Sequence, residues 1–193
     1  MNYYAITALI NAVTSLGLGA FVALRSWKSA VSLRFVFFAL SVGIWSVFYC
    51  LWQVESSAPL VLVWTRVLMG SAIWIPTVFL HFVFVLIGTA DRPENKRLLS
   101  IAYSLTLVYF LSDFGPWIVA DVVPRAGFRF WPVPGLLFHP FLAQFIGSVI
   151  YAHVLLYRAI RQSSSAIFRN QARYVFLGTL IGYAGGATNF PLW

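Results

Sequence analysis

Apolar residues run along this chain in long, almost uncharged blocks separated by short polar segments. A helix of about 20 mostly apolar residues is enough to cross the hydrocarbon core of a bilayer. Six blocks meet or approach that length, at residues 4–24, 35–54, 60–87, 98–120, 136–157 and 174–193. The pattern predicts an all-α fold, a single membrane domain built as a polytopic bundle of six transmembrane helices. The fourth block is the weakest, because Asp113, Gly115 and Pro116 stand where they could end it early. The third is the longest. As a helix it would measure about 42 Å at 1.5 Å per residue, against a core of about 30 Å. Tilt, overhang and a kink at Pro76 are expected to absorb the difference, since proline removes a backbone hydrogen bond. A kinked helix can serve as a hinge, although most such prolines are simply packed.

The connections are short. Residues 90–97, with Asp91-Arg92-Pro93, read as a turn into the fourth helix. The one substantial loop, 114–135, carries Trp117, Asp121, Arg125, Arg129, Trp131 and the prolines Pro116, Pro124, Pro132 and Pro134. It reads as a stiff cap lying on the outer interface.

Composition agrees with the blocks. The chain is 61% hydrophobic and 9% charged, where soluble domains carry about 45–50% and about 25%. That excludes a soluble enzyme, a disordered tail and a disulfide-stapled secreted domain. Cys50 is the sole cysteine and lies in an apolar block, so neither a disulfide nor a multi-cysteine metal site is expected. A net charge of +8 would suggest nucleic acid in a soluble chain, but here position matters more. Ten of the thirteen basic residues fall on one side of the expected bundle: Arg25, Lys28, Arg34, Arg92, Lys96, Arg97, Arg158, Arg161, Arg169 and Arg173. The other side holds Arg125 and Arg129, and Arg66 lies inside a block. Basic loops stay in the cytoplasm, so the N-terminus is expected outside. No nucleic-acid partner is expected; the first partner is the lipid bilayer. The first block has no basic residue before it and is long for a signal peptide, so it reads as a retained span. Six crossings from an outside start end outside, and the apolar finish at Pro191-Leu192-Trp193 reads as a fragment awaiting a further span.

Ionisable residues within a bilayer cost roughly 2.5–3.5 kcal/mol at a helix centre. Arg66 would lie about 9 Å below the outer edge of its span. There it either snorkels to the interface or joins Glu55 and Asp113 in an outer-leaflet cluster. With Trp64 and Trp117, that cluster could recognise an anionic or polar ligand through the guanidinium fork. His81 and His153 fall at comparable depth near the inner ends of two spans. They are expected to hydrogen-bond between helices; a haem held between them is the less favoured reading. His139 lies on the outer side and cannot join them. No other cofactor and no metal is expected. Gly178, Gly182 and Gly186 form one stripe of the sixth span, which predicts close packing within the chain, with a homodimer seam as the alternative. Ser15, Gly19 and Ala23 make a weaker stripe on the first. No nucleotide-binding glycine loop, nucleophile elbow or paired catalytic carboxylate pattern occurs, so this chain is not expected to be an enzyme by itself.

Three stretches resemble the N-terminal seven-transmembrane region of bacterial sensor histidine kinases. They are Trp64-Thr65-Arg66 through Gly70 and Pro76 to His81-Phe82, then Arg169-Asn170-Gln171-Ala172-Arg173-Tyr174, and Gly178 to Gly186 followed by Thr188-Asn189-Phe190-Pro191. The similarity extends over nearly the whole chain. It implies a multi-pass protein of the bacterial cytoplasmic membrane with an outside N-terminus. A seventh span would lead to a cytoplasmic kinase or related output domain, absent here. The function expected is that of a signal-receiving membrane domain in a two-component-type system. A small transporter or channel component, or a haem- or quinone-binding membrane subunit, is the alternative.

Overall fold

The computed structural model describes residues 2–187; residues 188–193, the end of the expected sixth span and of the last resembling stretch, lie outside them. Six helices form: α1 (Tyr3–Ser26), α2 (Ala30–Val54), α3 (Ala58–Leu86), α4 (Pro93–Ser112), α5 (Phe138–Gln162) and α6 (Ala166–Ala187). Their starts follow helix-capping chemistry. The Asn2 side chain accepts from Ala5 N at 2.8 Å, and Ser29 Oγ accepts from Ser32 N at 3.5 Å. Such caps satisfy backbone donors that lack a partner within the helix. Pro59 and Pro93 occupy first-turn positions, where a missing N–H costs nothing.

Four helices, α1, α2, α3 and α5, are long and apolar enough to cross a membrane. Glu94, Lys96 and Arg97 lie in the first turns of α4, and Arg169 and Arg173 in those of α6. Two expected boundaries move as a result. The fourth block ends as a helix at Ser112, so its expected extension to residue 120 is corrected. The sixth begins at Ala166, which places Arg169 and Arg173 on the helix.

The all-α expectation needs one correction. The segment between α4 and α5 folds as an antiparallel hairpin of β1 (Val119–Arg125) and β2 (Phe128–Pro134). Its two-residue turn, Ala126-Gly127, has positive φ at both positions, the backbone that matches the twist of a tight hairpin. Prolines are tolerated because a two-stranded sheet has only edge strands. At its base, Gly135 N donates to Ile118 O at 2.9 Å and Leu137 N to Trp117 O at 2.8 Å. Gly135 must be a glycine there, since a Cβ would strike the carbonyl groups of Pro116 and Trp117.

Helix α3 is the axis of the fold. It continues through Pro76, and most of its residues are buried, from Val61 at one end to Phe84 at the other. A helix that is apolar all round is expected to be enclosed by others. Around it stand α2, α4, α5 and the hairpin. Two core clusters lie along it. One contains Trp52, Ile73, Tyr109, Trp131 and Phe141, the other Phe79, Phe84, Leu99 and Leu156. By contrast α1 turns Ile10, Val13 and Leu24 outward, an apolar surface suited to lipid. Contacts between neighbours fix the helix directions. Asn11 meets Ser46 and Gly19 meets Ala39, Thr77 meets Thr106 and His81 meets Tyr103, and His153 meets Thr179 and Phe145 meets Tyr183, so α1/α2, α3/α4 and α5/α6 are antiparallel pairs. The N-terminus, the α2–α3 turn and the hairpin therefore share one end, where Asn2 Nδ2 also reaches Gln53 Oε1 at 3.2 Å.

Candidate functional site

The five residues expected to form an outer ligand cluster divide into two pairs and one outlier. Glu55 follows the last turn of α2, and its Oε1 accepts from Ser57 N at 2.9 Å and Ser56 N at 2.7 Å. Those two N–H groups, Ser57's first, hold its carboxyl below the ordinary glutamate range, and the Trp64 side chain adds to the effect. Trp64 also packs against Phe48 at 5.8 Å. The second pair is on another face. Arg66 and Gly70 are one turn apart on α3, and a Cβ at Gly70 would lie 3.5 Å from Asp113 Oδ2. Asp113 is only 5% exposed and its Oδ1 has no partner. Arg66 donates from one terminal nitrogen to Val119 O of β1 at 3.4 Å, while its Nε stays buried without a partner. No direct ion pair joins Arg66 to Asp113 among the described residues; Lys96–Asp91, at 3.0 Å, is the ion pair found there. Trp117 is half exposed and rests over Gly115. Arg66 is thus a strut between α3 and the hairpin.

Both inner histidines are tied between helices or within the bundle. His153 places Nδ1 2.8 Å from Val149 O and Nε2 3.1 Å from the Thr179 hydroxyl of α6. His81 Nδ1 lies 2.9 Å from Tyr103 OH of α4. These are the contacts of residues that hydrogen-bond across helices; they engage both ring nitrogens of His153 and one of His81. Among the described residues no group of three or more His, Cys, Asp or Glu could hold a metal ion.

A polar layer at the middle of the bundle escapes a reading by charge. The Thr77 and Thr106 hydroxyls are 2.7 Å apart and fully buried. Gln144 Nε2 of α5 reaches Ala102 O at 3.3 Å and Thr77 Oγ1 at 3.4 Å. One layer thereby joins α3, α4 and α5. Its only sequence signal is uncharged polar residues inside apolar blocks, which is weak because threonine is common there.

A cavity of about 510 Å³ is a cleft with one wall on α1, α2 and α3 and the other on α5 and α6. Trp45, Tyr49, Trp52, Phe138, Phe141 and Phe145 make it strongly aromatic. Trp131 of β2 also lines it, its ring packed against Trp52 at 5.2 Å, while Trp52 Nε1 donates to Phe130 O at 3.1 Å. The hairpin is thereby locked to α2 beside the cleft. Gly178, Gly182 and Gly186 line the opposite wall. A Cβ at any of the three would meet open space. Among the described residues this stripe faces the cleft and not a neighbouring helix. The weaker stripe on α1 is the one that packs, with Gly19 against Ala39 of α2.

Residues 7–191 match the family described as the N-terminal 7TM region of histidine kinase. No curated protein and no solved structure matches the chain.

Proposed function

The chain belongs to the N-terminal 7TM region family of histidine kinases, and from that premise we propose that it receives a stimulus for a cytoplasmic output domain. The stimulus acts at the outer half or within the bilayer, and repacking of the helices carries it inward. The observation that carries this reading is the aromatic cleft, lined by five helices and by Trp131 of the outer hairpin. A stimulus that alters packing along such a cleft changes how its walls sit against each other. This one has walls on helices that could move against each other. The chain does no chemistry itself in this reading; phosphorylation belongs to the output domain.

The proposed setting is the bacterial cytoplasmic membrane, with six spans and an outside N-terminus. Support comes from the ten basic residues concentrated near the α1–α2, α3–α4 and α5–α6 turns, against Arg125 and Arg129 at the hairpin. Reporter fusions after Lys28, Asn95 and Ser164 should read cytoplasmic, and fusions near Ser57 and Gly127 external. An external reading at Ser164 would sink this orientation.

The functional test is autophosphorylation by the full-length protein in proteoliposomes, comparing wild type with Trp131→Ala. The expected result is a several-fold change in rate at equal protein level and equal fold stability. An unchanged rate would disconnect the cleft from the output.

A further inference from the structure

The cleft is long as well as apolar. On α6 its lining runs from Tyr174 to Ala187, on α2 from Phe35 to Trp52. At 1.5 Å per residue these walls are about 20 and 26 Å long, most of a hydrocarbon core of about 30 Å. A compact ligand would fill only part of such a slot. Between the walls the bundle is open: α1 and α2 make no more than incidental contact with α6. The matched family is a seven-helix membrane region, whereas residues 2–187 form six helices.

We propose that this cleft is the seat of a seventh transmembrane helix, packed against Gly178, Gly182 and Gly186 on one side and the aromatic wall of α2 and α3 on the other. The inference rests on the family reading above. Helix association in lipid depends on close van der Waals packing, and small residues spaced by four allow backbones to approach. The glycines of α6 have that spacing and nothing against them. Their counterparts on α1 and α2 are already covered, Gly19 by Ala39 and Gly43 by Leu16. A second observation is polar. Trp131 is fully buried, yet its indole N–H has no partner among the described residues, and the Tyr183 hydroxyl in the same lining also has none. A buried polar group left without a partner costs free energy. An incoming helix that places an acceptor beside Trp131 would supply one. This arrangement also shortens the path of a signal. The helix leading toward the output domain would touch Trp52 and Trp131 directly, so a change in the hairpin or the aromatic wall would shift it without an intermediary.

The test uses the full-length gene product in native membranes, with Cys50 and every further native cysteine replaced by alanine as background. Ser15→Cys places a thiol on the α1 wall and Gly182→Cys places one on the α6 wall. Each is labelled with a maleimide-benzophenone, irradiated, and the adducts are mapped by mass spectrometry. The expected result is that both sites attach to one apolar segment of the same polypeptide outside residues 2–187, at positions on opposite faces of a helix. Adducts to residues 2–187 of a second copy would overturn the proposal in favour of a dimer seam. Adducts to lipid alone would overturn it in favour of a lipid-filled groove. The serine-to-cysteine change is nearly isosteric, so Ser15→Cys decides the matter even if Gly182→Cys folds poorly. Autophosphorylation is recorded in parallel. A kinase that still responds while both thiols capture only lipid would refute the seventh-helix seat and leave the sensor reading intact.

Discussion

Two glycine faces in this molecule have opposite fates. On α1 and α2, Gly19 meets Ala39, where an added Cβ would be 3.2 Å away, and Gly43 makes room for the side chain of Leu16. On α6, Gly178, Gly182 and Gly186 have the more regular spacing and meet nothing. Spacing by four only makes a flat strip of helix; whether the strip is used depends on which helix the topology brings beside it. The α1–α2 connection is a turn of a few residues, so those helices are forced together and their small residues are covered. Helix α6 packs mainly on α5, with Tyr183 reaching Phe79 of α3 at 5.3 Å, and its glycine face looks across the cleft.

The sharpest way to break that contrast is to add the same side chain to both faces. Gly43→Leu should lower stability by about 1–3 kcal/mol, the usual cost of overpacking, because Leu16 occupies the space. Gly182→Leu in the 193-residue chain should leave thermal stability in detergent unchanged. Equal losses in the two variants would show that the α6 stripe is covered after all. If the seventh-helix seat is right, the same Gly182→Leu change becomes destabilising in the full-length protein.

A smaller effect is expected from the buried layer at Thr77, Thr106 and Gln144. It joins α5 to the packed side of the bundle through hydrogen bonds, without glycine. A double-mutant cycle of Thr77→Val and Thr106→Val should give a coupling of about 0.6–1.7 kcal/mol, the range for interhelical hydrogen bonds in membranes. Zero coupling would mean that the Thr77–Thr106 contact adds nothing to the packing of α3 on α4.

The smallest effect belongs to Glu55 at the turn joining α2 to α3. Its folded-state pKa is depressed, chiefly by the Ser57 N–H and then by that of Ser56. A depressed carboxyl contributes stability above its unfolded pKa and loses it as pH falls through the folded value. The side chain is solvent-exposed, so the contribution is small. The stability difference between wild type and Glu55→Gln should be present near neutral pH and shrink below the ordinary glutamate range. A difference that grows on acidification would show the carboxylate to be a liability there.

Much of this was legible in the residues. The apolar blocks located all six helices, because the length needed to cross a bilayer is set by its thickness. The resemblance through Trp64-Thr65-Arg66, Gly70 and Pro76 pointed to the family that matches residues 7–191. The hairpin was not legible. Ala126-Gly127 is a weak turn signal, and four prolines argue against strands unless the sheet has only edges. Nor could the sequence show that the outer polar residues would separate, with Glu55 satisfied by its own turn and Arg66 reaching Val119.

By itself, then, the sequence determined that this is a membrane bundle of the histidine-kinase 7TM family and roughly where its helices lie. That information is local, carried by apolar length and short motifs. Only the tertiary structure decided which small residues are covered, which polar atoms find partners and where a cleft remains. Those outcomes depend on which helix faces lie opposite one another. Gly70 and Asp113 meet across 43 positions of chain, and Trp52 and Phe130 across 78; no local pattern encodes either pairing.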